Sequence, residues 1–268
     1  MVTNHLNKTS SDYMSKNDFV YDKKEIITKY ASFGFLFKPE KLLFENFSDF
    51  FKTASVLDIG VGGGRTSQFL IPKCLNYVGI DISEGMIEAS KKKFQHFTNA
   101  KFEVVDATNL NTVFDKESFD FILFSFNGID CISQEKREKT IENILSLLKP
   151  NGYFLYSCHN IRSLPKISKL SLGKNFFKWF ERYKRYKTFN SIYPNLSDVI
   201  SRDVSVIKDG SENFEIEIVY VKPEFEYSRL EKLGFSEIKI FDFDNSKELR
   251  KEILSENTDF WLYFLCKK

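Results

Sequence analysis

The sequence predicts an α/β fold in which helices cover both faces of a doubly wound, mostly parallel sheet. Short apolar runs alternate with helix-like segments through the first 160 residues, as expected for parallel strands joined by crossover helices. The runs are apolar almost throughout, which indicates strands buried on both faces. One run, Val56 to Ile59, ends in a glycine-rich turn that opens a helical segment. Strand, glycine turn and helix in this order are typical of a nucleotide-type pocket.

Seven strands are expected to form the sheet, and six helical segments flank them. The strands are Ser55–Gly60, Tyr77–Ile82, Phe102–Asp106, Phe119–Ser125, Tyr153–Cys158, Glu237–Phe241 and Phe260–Cys266. The helical segments are Tyr21–Phe37, one beginning at Pro39, Arg65–Leu70, one after the N-cap Ser83, Ser133–Leu148 and Pro223–Leu233. Pro39 suits a first helical turn, and Gly234 suits the end of the last helix. The result is a Rossmann-like order of elements.

Composition along the chain predicts five parts. Residues 1–18 are polar and predicted to be a mobile tail, 19–54 a helical cap, and 55–159 the ligand-binding core. Residues 160–222 are basic and aromatic, and they contain two strand-like runs, Val204–Lys208 and Phe214–Val221, around the turn signal Asp209-Gly210. We interpret 160–222 as an insertion with a helix and a β-hairpin that covers the pocket as a lid. Residues 223–268 complete the sheet.

Charge and cysteine content narrow the classes of function. The formal net charge of +2 predicts no broad attraction to nucleic acid. No apolar run reaches membrane-spanning length, and the N-terminus lacks the apolar core of a signal peptide. The four cysteines are far apart and form no C-x-x-C pair, which argues against a zinc site or a disulfide framework. We therefore expect a cytoplasmic protein without a metal site.

The glycine turn distinguishes between two kinds of adenosine ligand. A dinucleotide fingerprint reads G-x-G-x-x-G, but counting from Gly60 its last position holds Arg65, and counting from Gly62 it holds Ser67. The pattern is instead D-x-G-x-G-x-G, formed by Asp58, Gly60, Gly62 and Gly64. Together with the elements around it, this pattern resembles the class I S-adenosylmethionine (SAM) dependent methyltransferases, over about residues 50–160 and in outline at the carboxyl terminus.

The resemblance implies a cofactor site at four successive strand ends. Asp81 ends the second strand, where the family binds both ribose hydroxyls, and Ile82 and Met86 follow, where it packs an apolar side chain on adenine. Asp106-Ala107 ends the third strand, where the family reads the adenine edge. The fourth strand ends at Phe124, where the family lines the methionine part and the sulfonium, while Asp58 is expected near the methionine ammonium. Arg65 either forms a surface salt bridge or faces the pocket.

The catalytic candidates are His159, Asn127 and Tyr30. His159 ends the fifth strand on the pocket side, as the base for an acceptor that must lose a proton, and the alternative is a histidine that only hydrogen-bonds its loop. A comparable histidine-asparagine pair occurs in several small-molecule methyltransferases. Asn127, Asp130 and Tyr30 are candidates for the pocket rim, and Tyr30 lies on an N-terminal helix that in this family often folds over the cofactor. His5 and His96 are interpreted as incidental.

The acceptor is predicted to be a small polar metabolite, with a sugar, nucleotide-sugar or phosphate of surface polysaccharide synthesis as the leading choice. No Asn/Asp-Pro-Pro-aromatic run follows the fourth strand, which argues against methylation of amino groups in DNA. The segment Lys174–Lys187 is basic and aromatic. It is either a lid helix that packs its aromatic face on the domain, a lid that binds an anionic acceptor, or a membrane or RNA contact.

Three alternatives to a small-molecule methyltransferase stay open. The first is an RNA methyltransferase that uses the basic insertion. The second is an NAD-type oxidoreductase, and the third is a SAM-binding module without activity. Binding of SAM, of its demethylated product and of NAD would separate the second from the others.

Overall fold

The structure, a computed structural model, describes residues 16–170 and 176–268. In the described part of the chain ten strands form one sheet. They are β1 Ser55–Ile59, β2 Asn76–Asp81, β3 Ala100–Val104, β4 Phe119–Phe124, β5 Leu148–Asn160, β6 Val204–Ile207, β7 Ile218–Val221, β8 Ser236–Asp242, β9 Glu248–Leu249 and β10 Trp261–Lys267. The main order is β3-β2-β1-β4-β5-β10-β8-β9, and β7 pairs with both β5 and β6.

Helices flank this sheet on both faces. They are α1 Lys16–Tyr21, α2 Lys24–Ala31, α3 Lys38–Asn46, α4 Ser48–Phe51, α5 Ser67–Leu70, α6 Glu84–Lys93, α7 Gln134–Leu147, α8 Leu164–Ile167, α9 Phe176–Ile192, α10 Leu196–Ser201 and α11 Pro223–Leu233. Several begin with the predicted signals: Ser83 accepts the Met86 N–H at the start of α6, and Pro39 lies in the first turn of α3. Gly234 ends α11 with a left-handed φ of 102°.

Both faces of the sheet are buried, as the apolar strands predict. Along β4, Phe121 and Leu123 belong to one hydrophobic cluster, whereas Ile122 and Phe124 belong to the other. Because successive side chains of a strand point to opposite faces, each face packs on its own layer of helices. The strands β1 to β5 pair in parallel, and the chain order reverses between β1 and β4. Ligands bind at the carboxyl ends of strands at such a reversal.

The doubly wound α/β fold is therefore confirmed, but the sheet has ten strands in the described residues rather than the seven predicted. β9 extends one edge beside β8. The hairpin strands β6 and β7 join the sheet because β5 continues beyond β4 to Asn160, and its residues His159 and Asn160 pair with Tyr220 and Val221 of β7. The described residues of segment 160–222 thus lie at the carboxyl edge of the sheet.

Three local expectations differ from the structure. The strand expected from Phe214 begins at Ile218 instead, because Glu212, Asn213 and Phe214 all have left-handed φ values that no strand allows. The helical segment expected to Phe37 ends at Ala31. Residues 1–15 of the predicted tail, with His5, lie outside the described residues, whereas α1 already begins at Lys16.

A third hydrophobic cluster joins segment 160–222 to the N-terminal helices. It contains Val20 of α1, Phe189 of α9, and Ile218 and Tyr220 of β7. Phe189 is 1% exposed, whereas Phe180, an aromatic residue of the Lys174–Lys187 segment, is 54% exposed. Helix α9 therefore packs through its carboxyl-terminal half. None of the helices within 16–170 and 176–268 is long and apolar enough to cross a membrane.

Candidate functional site

The backbone of the glycine turn after β1 is accessible at the carboxyl edge of the sheet. Gly60, Gly62 and Gly64 have φ values of 65°, 53° and 80°, which residues with a Cβ rarely adopt. A Cβ at Gly62 would meet nothing within 4 Å, so the main chain there borders open space. The Gly62 N–H donates to Oδ2 of Asp81 at 2.8 Å, which holds the turn against the end of β2. A ligand can therefore approach the main chain of this turn closely.

A cavity, which we call the first cavity, lies beside this turn at the carboxyl ends of β1 to β4. Ten of the fourteen predicted site residues line it: Tyr30, Gly60, Gly62, Arg65, Asp81, Ile82, Met86, Asp106, Ala107 and Phe124. The other four, Asp58, Gly64, Asn127 and His159, are not among its lining residues. The strand-end residues chosen from the sequence thus meet in one place.

Two carboxylates from neighbouring strands border the first cavity. Asp81 accepts the Ser83 N–H at 3.0 Å in addition to that of Gly62. Asp106 accepts the Thr108 N–H at 2.8 Å and so caps the short 3-10 helix that follows. A carboxylate offers about four acceptor positions, so these local bonds are compatible with bonds to a ligand. Each residue therefore stabilises its local turn and also borders the cavity.

Asp58 lies beneath the glycine turn, and its carboxylate is buried. Its Oδ2 accepts hydrogen bonds from Thr66 Oγ1 at 2.6 Å and from the Tyr77 hydroxyl at 2.7 Å. Burial raises the pKa of Asp58 to about 6, although these two hydroxyls oppose the rise. Asp58 therefore ties the turn to β2, and its contact with an ammonium group stays a prediction. Gly64 also has a packing role, since a Cβ there would lie 2.3 Å from the Phe94 ring.

Arg65 is buried at the wall of the first cavity in a bidentate ion pair with Glu40. Its Nη1 donates to Oε2 of Glu40 at 2.6 Å, and its Nη2 donates to Oε1 at 2.6 Å. Nη2 also donates to Ser125 Oγ at 3.0 Å. Glu40 is fully buried and accepts the Tyr263 hydroxyl and the Phe37 N–H. Of the two expectations for Arg65, the structure supports the one that faces the pocket. The pair fastens α3 to the glycine turn.

A second cavity of about 450 Å³ adjoins the first, a size typical of small-molecule sites. It contains two of the catalytic candidates missing from the first cavity, Asn127 and His159. The walls common to both cavities are Tyr21, Tyr30, Phe126 and Cys131. The two spaces are therefore neighbours, separated by aromatic side chains.

His159 is held in one orientation by a buried acid. Oδ2 of Asp130 accepts the His159 backbone N–H at 2.7 Å and lies 2.8 Å from Nδ1 of its ring. Oδ1 of Asp130 accepts from Arg137 at 2.7 Å, and Arg137 also donates to Glu226 at 3.1 Å. A neutral ring with its proton on Nδ1 satisfies Asp130 and leaves Nε2 as an acceptor. The sequence placed Asp130 on the rim, whereas the structure places it behind the histidine.

Asn127 completes this group from the end of β4. It has a left-handed φ of 57°, and its side-chain Nδ2 lies 3.2 Å from Nε2 of His159. Its buried Oδ1 has no hydrogen-bond partner among the described residues. Phe126 beside it also has a left-handed φ, of 53°, which costs a bulky residue about 1–2 kcal/mol. Such strain clusters at functional sites.

Aromatic rings form the wall between the cavities. Phe126 packs against Tyr30 at 5.9 Å and Trp261 at 5.5 Å between ring centroids, and Trp261 lies 5.7 Å from His159. Burial, followed by the negative charge of Glu212, raises the pKa of Tyr30. Its phenol therefore stays protonated at neutral pH and does not act as a base.

Several residues of the site were not found from the sequence. Glu40 and Trp261 are far from the glycine motif along the chain and meet it only through folding. Gly63 stands inside the motif but is not among the predicted site residues, and a Cβ there would lie 2.2 Å from Cα of Ala31. The unbroken run Gly62-Gly63-Gly64 was the available signal for a helix packed on the turn.

Comparison with known proteins identifies the central part of the chain. Residues 56–152 match the family model described as a methyltransferase domain. The demethylmenaquinone methyltransferase of Clavibacter sepedonicus is 33% identical over 97 residues, which are 36% of this chain and 38% of that protein. Phosphoethanolamine N-methyltransferase 3 of Arabidopsis thaliana is 30% identical over 102 residues, 38% and 21% of the two chains. The chain spans less than half the length of these relatives.

Solved structures share the fold over a larger part of the chain. The 1,6-didemethyltoxoflavin-N1-methyltransferase of Burkholderia thailandensis was solved with bound 1,6-didemethyltoxoflavin and S-adenosylhomocysteine. It superposes with a TM-score of 0.59 and 13% identity, covering 99% of this chain and 93% of that one. A SAM-dependent methyltransferase of Mesorhizobium loti superposes with a TM-score of 0.58 and 13% identity, covering 86% and 98%. At these identities the likeness shows the fold.

Proposed function

We propose, from the premise that residues 56–152 form a class I SAM-dependent methyltransferase domain, that this chain transfers a methyl group from SAM to an oxygen or nitrogen of a small polar acceptor. One observation carries the proposal. The first cavity, at the strand ends where this class binds SAM, adjoins a second cavity that contains His159 and Asn127. Donor and acceptor would then meet where Tyr30 and Phe126 border both cavities.

The residues of the first cavity fit SAM in their chemistry. Open space at Gly62 admits the amino-acid part of the cofactor to the main chain, and the Asp81 carboxylate suits the two ribose hydroxyls. Ile82 and Met86 offer apolar side chains to adenine, and Asp106 with the Ala107 N–H suits its polar edge. Phe124, at the end of β4, lies on the side of the methionine part. The cofactor supplies the reactive methyl group when bound.

The second cavity supplies positioning and a proton acceptor. Methyl transfer depends mainly on holding the acceptor atom in line with the methyl group, and a base adds about 10²–10⁴-fold where the acceptor must lose a proton. Asp130 orients His159 so that Nε2 can serve as that base once the acceptor replaces Asn127 Nδ2, which lies 3.2 Å from Nε2. A half-turn of the Asn127 amide would bring its unpartnered Oδ1 to Nε2. Once His159 has taken the proton, Oδ1 could accept a hydrogen bond from the new Nε2–H. The pair therefore suits both protonation states of the histidine.

The class of methyl acceptor and the cellular location are proposed on chemical grounds. We place the acceptor among sugars, nucleotide-sugars and phosphate-bearing metabolites, with surface polysaccharide synthesis as the leading process. Phosphoethanolamine, which the name of one relative gives as its substrate, combines an amine with a phosphate and extends this set. The protein is assigned to the cytoplasm because its four cysteines are free thiols. The methyltransferase match supports methyl transfer over the oxidoreductase alternative.

An RNA substrate is the second candidate. Helix α9 exposes Arg182, Lys184 and Lys187, and basic surface residues of this kind bind phosphate backbones. This alternative requires RNA binding that weakens steeply as salt rises. A small-molecule acceptor requires none, so a filter-binding titration at two salt concentrations separates the two.

Cofactor binding is the first experimental test. Calorimetry should show binding of SAM and S-adenosylhomocysteine but not of NAD. Asp81→Ala should weaken SAM binding by about 1.5–3 kcal/mol for each lost charged hydrogen bond. The matched control Glu103→Ala changes an exposed carboxylate on β3 and should leave the affinity unchanged. Binding of NAD in preference to SAM, or equal affinities in both variants, would remove the proposed cofactor site.

Transfer is tested with isotope-labelled SAM in a metabolite extract, followed by mass spectrometry. A labelled small molecule in the wild-type reaction supports the proposal and identifies the acceptor. His159→Ala should then slow turnover by about 10²–10⁴-fold with unchanged SAM affinity, if the acceptor loses a proton. SAM binding without any labelled product would instead indicate the inactive SAM-binding module.

A further inference from the structure

The second cavity contains a cation that has no acidic partner within the described residues. Three charged side chains line this cavity besides the His159 group: Lys29, Arg185 and Glu212. Lys29 Nζ is paired with Oε1 of Glu212 at 2.7 Å. Arg185, on α9, is exposed and forms no hydrogen bond or ion pair with any residue of 16–170 or 176–268. Its charge therefore has no counterpart in the cavity wall.

The neighbouring acids are already engaged. Asp209 lies next to the turn that Arg185 contacts, but its Oδ2 accepts the Tyr220 hydroxyl at 2.8 Å and its Oδ1 the Ser211 N–H at 2.7 Å. Asp130, behind His159, pairs with the buried Arg137. None of these carboxylates is hydrogen-bonded to Arg185 in the described part of the chain, so the donors of its guanidinium are available to a group from outside.

The turn at Gly210 is shaped to admit this guanidinium. Gly210 has φ 94°, and a Cβ there would lie only 3.0 Å from both Nε and Nη2 of Arg185. Three left-handed residues, Glu212 to Phe214, follow after Ser211, although their side chains disfavour that conformation by about 1–2 kcal/mol each. Glycine and strained turn together keep Arg185 against the cavity, and strain of this kind is found at ligand sites.

We propose that Arg185 binds an oxyanion of the methyl acceptor, a carboxylate or a phosphate, while the atom to be methylated faces His159. The inference rests on the proposed function, because it takes the second cavity as the acceptor site. A guanidinium donates two parallel hydrogen bonds to such a group and stays charged at all relevant pH values. The acceptor class is thereby narrowed to small molecules that carry an anionic group.

The test uses Trp261, which lines the same cavity. The chain has two tryptophans, so Trp179→Phe leaves Trp261 as the single reporter. Sodium phosphate, and in a second series sodium acetate, is titrated at constant ionic strength against sodium chloride, with and without S-adenosylhomocysteine. Three proteins are compared: the Trp179→Phe background, the same with Arg185→Gln, and the same with Arg182→Gln. Arg182 is also exposed on α9 but is not a lining residue of the cavity.

A saturable change in Trp261 fluorescence is expected in the background and in the Arg182 variant. In the Arg185 variant the dissociation constant should rise by about tenfold or more, as expected for the loss of a charge-assisted pair. The series that saturates shows whether the group is a phosphate or a carboxylate. Equal titrations in all three proteins, or no saturation with either anion, would overturn the proposal. Failure of S-adenosylhomocysteine to bind would count against the proposed function instead, because the anion titration without it still reports on Arg185.

Discussion

Helix α2 rests on the glycine turn, and a single methyl group at Gly63 should displace it. A Cβ at this position would lie 2.2 Å from Cα and 2.6 Å from N of Ala31, both backbone atoms. Ordinary contact begins at about 3.4 Å, so α2 must move by at least about 1.2 Å in Gly63→Ala. Tyr30 precedes Ala31 and lines both cavities, so its ring must move as well.

The free-energy cost of Gly63→Ala follows from the fact that the new Cβ meets backbone atoms, which cannot rotate away. Overpacking of this sort destabilises by about 1–3 kcal/mol, and where α2 must close for cofactor binding, the same free energy lowers the affinity for S-adenosylhomocysteine by about 5- to 150-fold. Calorimetry with S-adenosylhomocysteine and urea unfolding measure the two effects. Gly63→Ala is expected to weaken binding to this extent.

Gly85→Ala is the matched control on the same helix interface. A Cβ at Gly85 would lie 2.4 Å from Cδ1 of Ile27, the end of a side chain that can rotate away. The Gly85 variant should therefore bind S-adenosylhomocysteine nearly as tightly as the wild type. Wild-type binding by the Gly63 variant, or a larger loss in the Gly85 variant, would refute the idea that the α2 backbone determines the effect.

Three further predictions concern buried charge. Folding raises the pKa of Asp58 from 3.8 to about 6, so the folded state retains this proton to higher pH than the unfolded chain does. About 3 kcal/mol of stability should therefore be lost as pH rises between about 4 and 6. The Asp58→Asn variant should lack this loss. Burial alone would raise the pKa of Glu226, but the charges of Arg229 and then Arg137 outweigh burial and lower this pKa from 4.5 to about 2. The free energy of unfolding should therefore fall by about 3 kcal/mol as pH drops through that range. The Glu226→Gln variant should lack this dependence on pH. Arg65→Met should destabilise by about 3–5 kcal/mol because Glu40 is left as an unpaired buried charge, and adding Glu40→Gln should recover most of the loss.

Urea unfolding at a series of pH values measures all three. Each prediction has its own contradicting result. For Asp58 it is an Asn variant whose stability follows the wild type from pH 4 to 6. For Glu226 it is an acid limb that persists unchanged in the Gln variant. For Arg65 it is a double variant that is no more stable than the single one, since the pair would then not be the source of the cost.

The sequence was sufficient wherever function depends on the end of a strand. Asp81, Asp106 and Phe124 lie at the ends of apolar runs, and parallel strands bring their carboxyl ends to one edge of the sheet. The local sequence pattern was therefore enough to predict that these residues lie together. The glycine turn was recognised for the same reason, because a left-handed backbone requires a residue type that is visible in the sequence.

The remainder depends on contacts between distant parts of the chain. Glu40 pairs with Arg65 only because α3 packs across the glycine turn, and no local signal distinguishes it from a surface glutamate. The extension of β5 to Asn160 and its pairing with β7 likewise follow from tertiary packing. Phe214 illustrates the opposite error: its preference for strands is overridden by a left-handed turn that the surrounding fold imposes.

A crystal structure with S-adenosylhomocysteine shows most directly where the cofactor lies. We expect the adenine between Met86 and Asp106, the ribose on Asp81, the amino-acid part on the Gly60–Gly64 turn, and the sulfur directed at the second cavity and His159. S-adenosylhomocysteine bound elsewhere, or with its sulfur turned away from the second cavity, would contradict the account.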